Sequence, residues 1–437
     1  MSIPTLQGLQ TALSGLLADQ QAIDVAGHNI TNANTEGYSR QVAVLQTNEP
    51  MRIAALSPTN GEGGQLGTGV SVATYMRIRN TYLDAQYRTQ NTGLGAATTQ
   101  ANELQQAQSA FDEPSSAGLS SQLSAFWSAW GELADAPSSE AAKVSVVSAG
   151  TQVADTLHEV NAQLETVQAQ AAQQYTAITG PSGEVQADAK QIAQLNHQIK
   201  LSLQAKQQPN DLEDRRDLLL DKLSELGNIT VTKEADGTDT VAFGNAAQPL
   251  VEGSEVNWPQ ALTSAAGGKL GSLLELASPE GAIGKYRSAL DEVAKTLAGS
   301  VNELHTATPF FTGTTAASIA VAVKASEVQT SKGGTAGDNE VALAIAGLRG
   351  GKAEQQYAAL IAQVGSDVQS AKSDATNAQA VVSAVNGQRQ SVSGVSLDEE
   401  MTNLITFQRG YQSSARALTS MDEMLDTLIN HTGVVGL

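Results

Sequence analysis

Ser396-Leu397-Asp398-Glu399-Glu400-Met401-Thr402-Asn403-Leu404 opens the last stretch of the chain, and Leu397, Leu404, Tyr411, Leu418 and Leu425 then recur every seven residues. A seven-residue apolar period is the mark of a helix lying along a partner helix. Phe407, Met421 and Leu428 supply most of a second row, which Glu400 and Ser414 interrupt. The start fits a capping box, because the Ser396 hydroxyl can accept from an early backbone N–H while Glu399 reaches back. The other end of the chain matches it. Leu9, Leu16, Ile23 and Ile30 recur every seven residues, Leu6 and Leu13 stand three before the first two, and Pro4 can take the first helical position. Gln20 and Gly27 break the second row there. Each seam is marginal alone. The plain reading is a helical hairpin closing one end of a bundle; the sharper one is that each end gains order from the other and from neighbouring copies. Periodicity leaves both open.

Between the ends the pattern stays helical. Leu83, Tyr87, Leu94, Ala97, Ala101, Leu104 and Phe111 share one helix face, and Val153, Leu157, Val160, Leu164, Val167, Ala171 and Ile178 another. The second meets Gly180-Pro181-Ser182-Gly183, which should break it before Ile192, Leu195 and Ile199 resume. The most regular stripe runs Tyr357, Ile361, Val364, Val368, Ala371, Ala375, Ala378, Val382, Val385, with Asn386-Gly387 as its expected stop. Strand signals are local. Ile229 and Val231, then Val241 and Phe243, alternate around Glu234 to Gly237, a hairpin turn; Ser39 to Gln46, Gly67 to Val72 and Ser318 to Lys324 are further candidates. The expected fold is mainly α: a long helical bundle with paired N- and C-terminal coiled-coil helices and a small inserted β domain. The expected division is 1–45 with 396–437 as the coiled-coil domain, 46–228 with 276–306 and 338–395 as the bundle, and 229–275 with 307–337 as the β-rich domain.

Composition narrows the function. The 437 residues carry 25 basic and 45 acidic side chains, a formal charge of −20, so no cationic surplus exists to neutralise phosphates or anionic lipid. Neither a nucleic-acid partner nor membrane insertion is expected, the latter because no run reaches about 18 apolar residues. Cysteine is absent, which excludes disulfides, thiolate metal sites and a Cys nucleophile. No basic residue precedes Arg40, so the charged start of a cleaved secretory signal is missing. The five histidines, His28, His158, His197, His305 and His431, form no pair at metal-ligand spacing. The Gly-rich run from Gly61 to Gly69 matches no phosphate or dinucleotide fingerprint. Asp211, Glu213, Asp214, Asp217 and Asp221 form the densest acidic cluster, but Arg216 stands where a calcium loop needs Gly. The simpler expectation is a solvated helix start, with Asp211 paired to Arg215 one turn on. No catalytic, cofactor-binding or metal site is expected, and the chain reads as a non-enzyme.

Around the first helix, Ala12-Leu13-Ser14-Gly15 and the run Asp24-Val25-Ala26-Gly27-His28-Asn29-Ile30-Thr31-Asn32-Ala33-Asn34-Thr35-Glu36-Gly37-Tyr38-Ser39-Arg40-Gln41 resemble the N-terminal signature of bacterial flagellar rod, hook and hook-associated proteins. Physically the run is a helix ending in backbone-bonding Asn residues, with Gly37 free to take positive φ before an extended segment. Asn210-Asp211-Leu212-Glu213-Asp214-Arg215-Arg216-Asp217, Pro309-Phe310-Phe311, Gly337-Asp338-Asn339, and the stretch from Ser393 to Tyr411 resemble the hook-associated protein 1 family of hook–filament junction subunits, in the same order. One departure stands out. Longer members carry an outer β domain between the Phe-Phe and Gly-Asp-Asn stretches, and here about 25 residues separate Phe311 from Gly337.

The resemblance implies a secreted, extracellular subunit at the hook–filament junction, exported unfolded through the flagellar channel. It implies as partners the hook protein, a second junction protein (hook-associated protein 3), copies of itself in a ring, and an export chaperone on the C-terminal helix. The assembly residues it implies are Leu9, Leu16, Ile23, Asn29, Ile30, Asn32, Asn34, Gly37 and Tyr38 at one end. At the other they are Leu397, Leu404, Phe407, Tyr411, Leu418, Met421, Leu425 and Leu428. The alternatives are a hook or distal-rod axial subunit and, from other classes, a secreted coiled-coil effector or translocator, or a secreted enzyme on a helical scaffold.

Overall fold

A computed structural model describes residues 4–52, 65–333 and 337–431, the side chains of residues 4–6, 428 and 431 excepted. Gly61 to Gly64 and the side chains of Leu6 and Leu428 therefore lie outside the described residues.

The helices are α1 (Pro4–Asn32), α2 (Thr81–Ser109), α3 (Leu119–Asp135), α4 (Glu140–Thr179), α5 (Glu184–Gln204), α6 (Asn210–Leu226), α7 (Gly268–Ala277), α8 (Ala282–Leu304), α9 (Glu340–Ala346), α10 (Lys352–Ser393) and α11 (Leu397–Asp426). An antiparallel arm after α1 is built from β1 (Gln41–Thr47), β2 (Met51–Arg52), β3 (Gln65–Leu66) and β4 (Val70–Arg77). A four-stranded antiparallel sheet follows α6 in chain order, β5 (Ile229–Lys233), β6 (Asp239–Phe243), β7 (Val251–Glu252) and β8 (Glu255–Val256). β9 (Phe311–Thr312) and β10 (Ala320–Val321) pair with each other.

The mainly α architecture follows from the apolar stripes. Val153, Leu157, Val160, Leu164, Val167 and Ala171 are all buried along α4, and Tyr357, Val364, Val368, Ala371, Val382 and Val385 along α10. The Gly180 to Gly183 segment ends α4 and α5 begins at Glu184, because Pro181 has no N–H to continue the ladder. The β5–β6 hairpin places Ile229 opposite Phe243 and Val231 opposite Val241, which joins apolar pairs on one face.

Two cores result. The larger draws on α2, α3, α4, α8, α9 and α10; the smaller on α5, α6 and the four-stranded sheet, with α7 contributing to both. This division corrects three sequence expectations. Residues 307–337 do not join 229–275: Phe310, Phe311, Ile319, Val323 and Val328 enter the larger core, whereas Val241, Phe243, Val251 and Trp258 enter the smaller. Aromatic packing decides it, since Phe310 lies 5.4 Å from the Trp130 ring and 5.7 Å from Phe126. His305 pins the same segment, its Nε2 accepting from the Gln329 N–H at 2.8 Å. Second, the described residues 46–52 and 65–77 belong to the arm packed on α1, not to the bundle. Third, α10 runs through Asn386-Gly387 to Ser393. Ion pairs from Arg389, one half-turn beyond Gly387, hold the last turns helical against the weak local stop.

Phe310 is fully buried among these rings. Phe310→Ala is expected to cost about 3–5 kcal/mol of unfolding free energy, checked by chemical denaturation, with residues 307–337 becoming the first to exchange amide hydrogens.

Candidate assembly surface

α1 and α11 form an antiparallel pair, and its register can be read from close contacts. A Cβ placed on Gly8 would meet Met421 at 3.0 Å, one on Gly15 would meet Ser414 at 3.1 Å, and one on Gly410 would meet Asp19 at 2.8 Å. Asn29 Nδ2 donates to Glu400 Oε2 at 3.1 Å. The two residue numbers of every one of these pairs add to 429, so the helices run along each other without a slip. Gly8 and Gly15 on α1 thus face larger residues on α11, and Gly410 on α11 faces Asp19 on α1. Gly8, Gly15, Ala22 and Asn29 are the row at the interface, and Ala22 and Asn29 of that row are buried together with Ala18 and Ala26 beside it.

This relocates the seam. Leu9, Leu16, Ile23 and Ile30 are half-buried on the flank beside it, and Leu13 and Leu17 are exposed. The heptad was real but displaced by one residue, because glycine and alanine carry too little apolar surface to register as a stripe. On α11, Leu404, Phe407, Leu418, Met421 and Leu425 are half-buried, whereas Leu397 and Tyr411 are exposed. Glu400 and Ser414, which interrupt the apolar row, are contacts rather than flaws. Among the described residues of α11, Glu400 alone is fully buried.

Around Asn29 the signature residues converge. Asn29 is buried; it donates to the Gln41 carbonyl at 2.8 Å, and its Oδ1 accepts from the Gln41 N–H at 2.9 Å and from Tyr38 Oη at 2.7 Å. Tyr38 Oη also lies 3.0 Å from His28 Nδ1. Burial, together with Asp211, Asp214 and Glu400, pushes the Tyr38 phenol well above its usual range, so it stays protonated and remains a donor. Asn32 Nδ2 bonds back to the His28 carbonyl at 3.0 Å, and Gly37 turns the chain with φ +78°. Asn34 is exposed on the loop. Arg40 N–H donates to the Ser393 carbonyl at 2.9 Å, and Arg40 Nη1 reaches Glu399 Oε2 at 2.8 Å. Glu399 is thereby committed to Arg40; only the Ser396 half of the expected capping box forms, with Glu399 N–H to Ser396 Oγ at 3.4 Å.

Sequence reasoning missed how this end is fastened to the body. Among the described residues, neither core, including the half-buried residues packed on it, holds any residue before Ala101 or after Ala375. The fastening is ionic. Arg77 Nη1 meets Asp214 at 2.7 Å and Asp217 at 3.0 Å, and its Nη2 meets Glu213 at 2.6 Å. Arg79 grips Asp84 with two nitrogens and reaches Asp217 at 3.2 Å. Arg88 joins Asp217 to Asp221, and Arg389 joins Asp221 to Asp84 while lying 4.2 Å over the Tyr87 ring. The acidic run on α6 is therefore largely interior, and Asp211 takes a bond from Gln41 Nε2 at 2.8 Å rather than pairing with Arg215. Arginines 130 to 170 positions away in sequence were the missing signal.

Burial alone would raise the Asp217 carboxyl, but Arg79, Arg77 and Arg88 hold it well below the usual range. Asp214 goes the other way, burial outweighing Arg77 and the Ser39 N–H. For a depressed carboxyl the stabilisation is complete above the unfolded value near about pH 4 and fades as pH falls further. Asp217→Asn is accordingly expected to cost about 3–5 kcal/mol at pH 7. Melting curves across pH should show that deficit shrinking below about pH 4, where the unfolded wild-type chain takes up the proton that folded Asp217 still refuses.

Comparison with known proteins places these features. A family model described as "Flagellar hook-associated protein FlgK helical domain" matches residues 104–265. "Flagella basal body rod protein" matches 9–38, and "Flagellar basal body rod FlgEFG protein C-terminal" matches 387–431, the two helices of the antiparallel pair. The chain is 30% identical to the flagellar hook-associated protein 1 of Bacillus subtilis (strain 168), covering 99% of each. It is 23% identical to that of Escherichia coli (strain K12), covering 97% of this chain and 99% of the other. Against a flagellar hook protein of Helicobacter pylori the identity is 43% over 60 residues, 12% of this chain and 8% of that one. The Bacillus alignment spans 512 positions against the 437 residues here, so that relative carries dozens of positions without a counterpart.

Proposed function

The chain belongs to the flagellar hook-associated protein 1 family, as a structural subunit of the hook–filament junction, and on that footing we propose that its work is mechanical, done by stacking terminal modules against one another. The module comprises α1, the β1–β4 arm and α11.

One observation carries this reading. Of the nineteen large apolar side chains that stand exposed among the described residues, twelve lie in this module, Leu13, Leu17, Val42, Leu45, Met51, Leu66, Met76, Leu397, Met401, Ile405, Tyr411 and Met424, and a thirteenth, Ile429, lies just past the end of α11. The module is about a quarter of the chain, and concentrated exposed apolar surface marks a protein-binding face. Val42 pairs directly with Met76, and Met51 with Leu66, so the arm presents apolar pairs and not isolated residues. A two-stranded arm is marginal unless something covers it.

In this reading copies of the chain form a ring, seated on the hook protein on one side and bearing the second junction protein, hook-associated protein 3, on the other. The ends are shared in family terms with rod and hook proteins, which suits a subunit that must mate with unlike tubes. The subunit is exported unfolded and works outside the cell; a chain with no cysteine refolds there without disulfide exchange. Before export, α11 is the segment a chaperone would cover, since it has the most exposed apolar length and one fully buried side chain. In the shortened stretch between Phe311 and Gly337, Ala316, Ile319, Val323 and Val328 pack into the larger core.

A strain lacking the chain is expected to bear hooks without filaments and to shed filament protein into the medium. Complementation with Leu404→Asp should leave that defect while the purified variant keeps the wild-type melting of its body, because Leu404 is half-buried against α1 and a charge in that seam costs several kcal/mol. Normal filaments in either strain would contradict the proposal.

A further inference from the structure

Residues 307–331 lie along the larger core as a strap, and two histidines hold it. His305, the residue after α8, is fully buried. Its Nδ1 lies 2.5 Å from the Thr308 carbonyl and its Nε2 2.8 Å from the Gln329 backbone nitrogen. A carbonyl only accepts and a backbone N–H only donates, so the ring proton sits on Nδ1 and Nε2 is bare. Gln329 is the knot of the strap: its side-chain carbonyl accepts from the Ala307 N–H at 2.9 Å, and its amide donates to the Ser331 carbonyl at 2.9 Å. His158, on α4, grips the strap elsewhere, its Nε2 lying 2.8 Å from the Ile319 carbonyl.

The two rings answer a proton in opposite ways. His158 donates to a carbonyl, a bond that an imidazolium keeps. A proton on Nε2 of His305 would instead set N–H against N–H, and it would bury a charge with no counter-ion. The ring's neighbours are Phe310, with centroids 5.8 Å apart, and Trp130 on α3, at 6.3 Å, and neither titrates. The nearest charged side chains along the surrounding elements, Glu132 on α3, Glu303 on α8, Glu327 and Lys332 on the strap and Glu340 on α9, are all exposed, and none bonds to His305. Burial pushes the His305 imidazole below its ordinary range, although the Thr308 carbonyl favours the charged form. For a depressed histidine the stabilisation is complete above the free value near about 6.5 and is lost as pH falls below it.

We propose that His305 is an acid-released latch: a proton on Nε2 frees Gln329, and the 327–331 stretch lifts with Val328 from the Trp130 and Phe310 rings. The release is local. Asn302 holds Phe311 by both its N–H and its carbonyl, at 2.9 and 2.7 Å, Asp291 takes the Ala316 N–H at 2.7 Å, and His158 keeps Ile319. None of those bonds needs a bare imidazole nitrogen. For a subunit that works outside the cell, as proposed above, the signal is the pH of the medium; the latch itself stands whether or not the terminal module is the assembling part.

Hydrogen exchange on the full-length chain, corrected for intrinsic rates, tests it. Between about pH 7.5 and about pH 5.5 the amides of residues 305–308 and 327–331 are expected to lose protection roughly tenfold, the uptake of one proton below its free value, while 311–321 keep theirs. His305→Gln, whose amide can both accept from Gln329 and donate to Thr308, should remove the pH step, and His158→Gln should leave it in place. A step that persists in His305→Gln, or that disappears in His158→Gln, would overturn the proposal. Should His305→Gln fail to fold, exchange of the imidazole C2–H in the wild-type chain follows the His305 proton directly. A half-point below about 6.5 that coincides with the loss of protection is the expected result; a 327–331 stretch that stays protected as the ring titrates would overturn it.

Discussion

Asn29 and Glu400, 371 positions apart in the chain, meet at 3.1 Å inside an interface where almost everything else is apolar or small. A carboxylate shut away from water must be bonded, and Asn29 is placed by its own bonds to Gln41 and Tyr38 to do it. Sliding α11 by one heptad would set Glu400 against Ala22 in one direction and against Glu36, past the end of α1, in the other, so only the observed register keeps that charge bonded to Asn29. A single polar position used in this way specifies alignment at some cost in stability. The cost suits the fold: a wholly apolar seam would be stronger, and it would also pair in wrong registers and with wrong copies.

That alignment yields a molecule of two mechanical kinds. The body rests on two interdigitated cores, which resist deformation because packed side chains have few alternative arrangements. The terminal module touches the body mainly through polar groups instead, carboxylates and guanidinium groups foremost. Arg77, Arg79, Arg88 and Arg389 gather around Asp84, Asp214, Asp217 and Asp221 where β4, α2, α6 and α10 meet. Such a joint sets direction through bidentate geometry yet leaves the module's apolar faces free for other chains. A structural subunit of the hook–filament junction needs a defined angle and uncommitted surfaces together.

Much of this could be read from the residues, and the rest could not for identifiable reasons. Long stripes such as Val153 to Ala171 and Tyr357 to Val385 announce helices because their apolar content repeats over many turns. The break at Gly180 to Gly183 and the hairpin at Ile229 to Phe243 are equally local. Three features depend on what arrives from far along the chain. Gly387 stays helical because Arg389 is anchored on Asp84 and Asp221. Phe310 and Phe311 join the bundle because Trp130 and Phe126 wait there. The acidic run on α6 is interior because arginines from β4, α2 and α10 converge on it. In the terminal pair the period was visible but the row was off by one residue, since Gly8 and Gly15 act through their absence of bulk.

Native-state hydrogen exchange on the free, full-length chain tests the central claim most directly. If the ends order one another only weakly, amides of α1 and α11 should open together, in one cooperative step, at a free energy well below that of residues 101–371, and added salt should lower it further by screening the joint. Protection of α1 and α11 equal to that of the body, or loss of one helix without the other, would contradict the account.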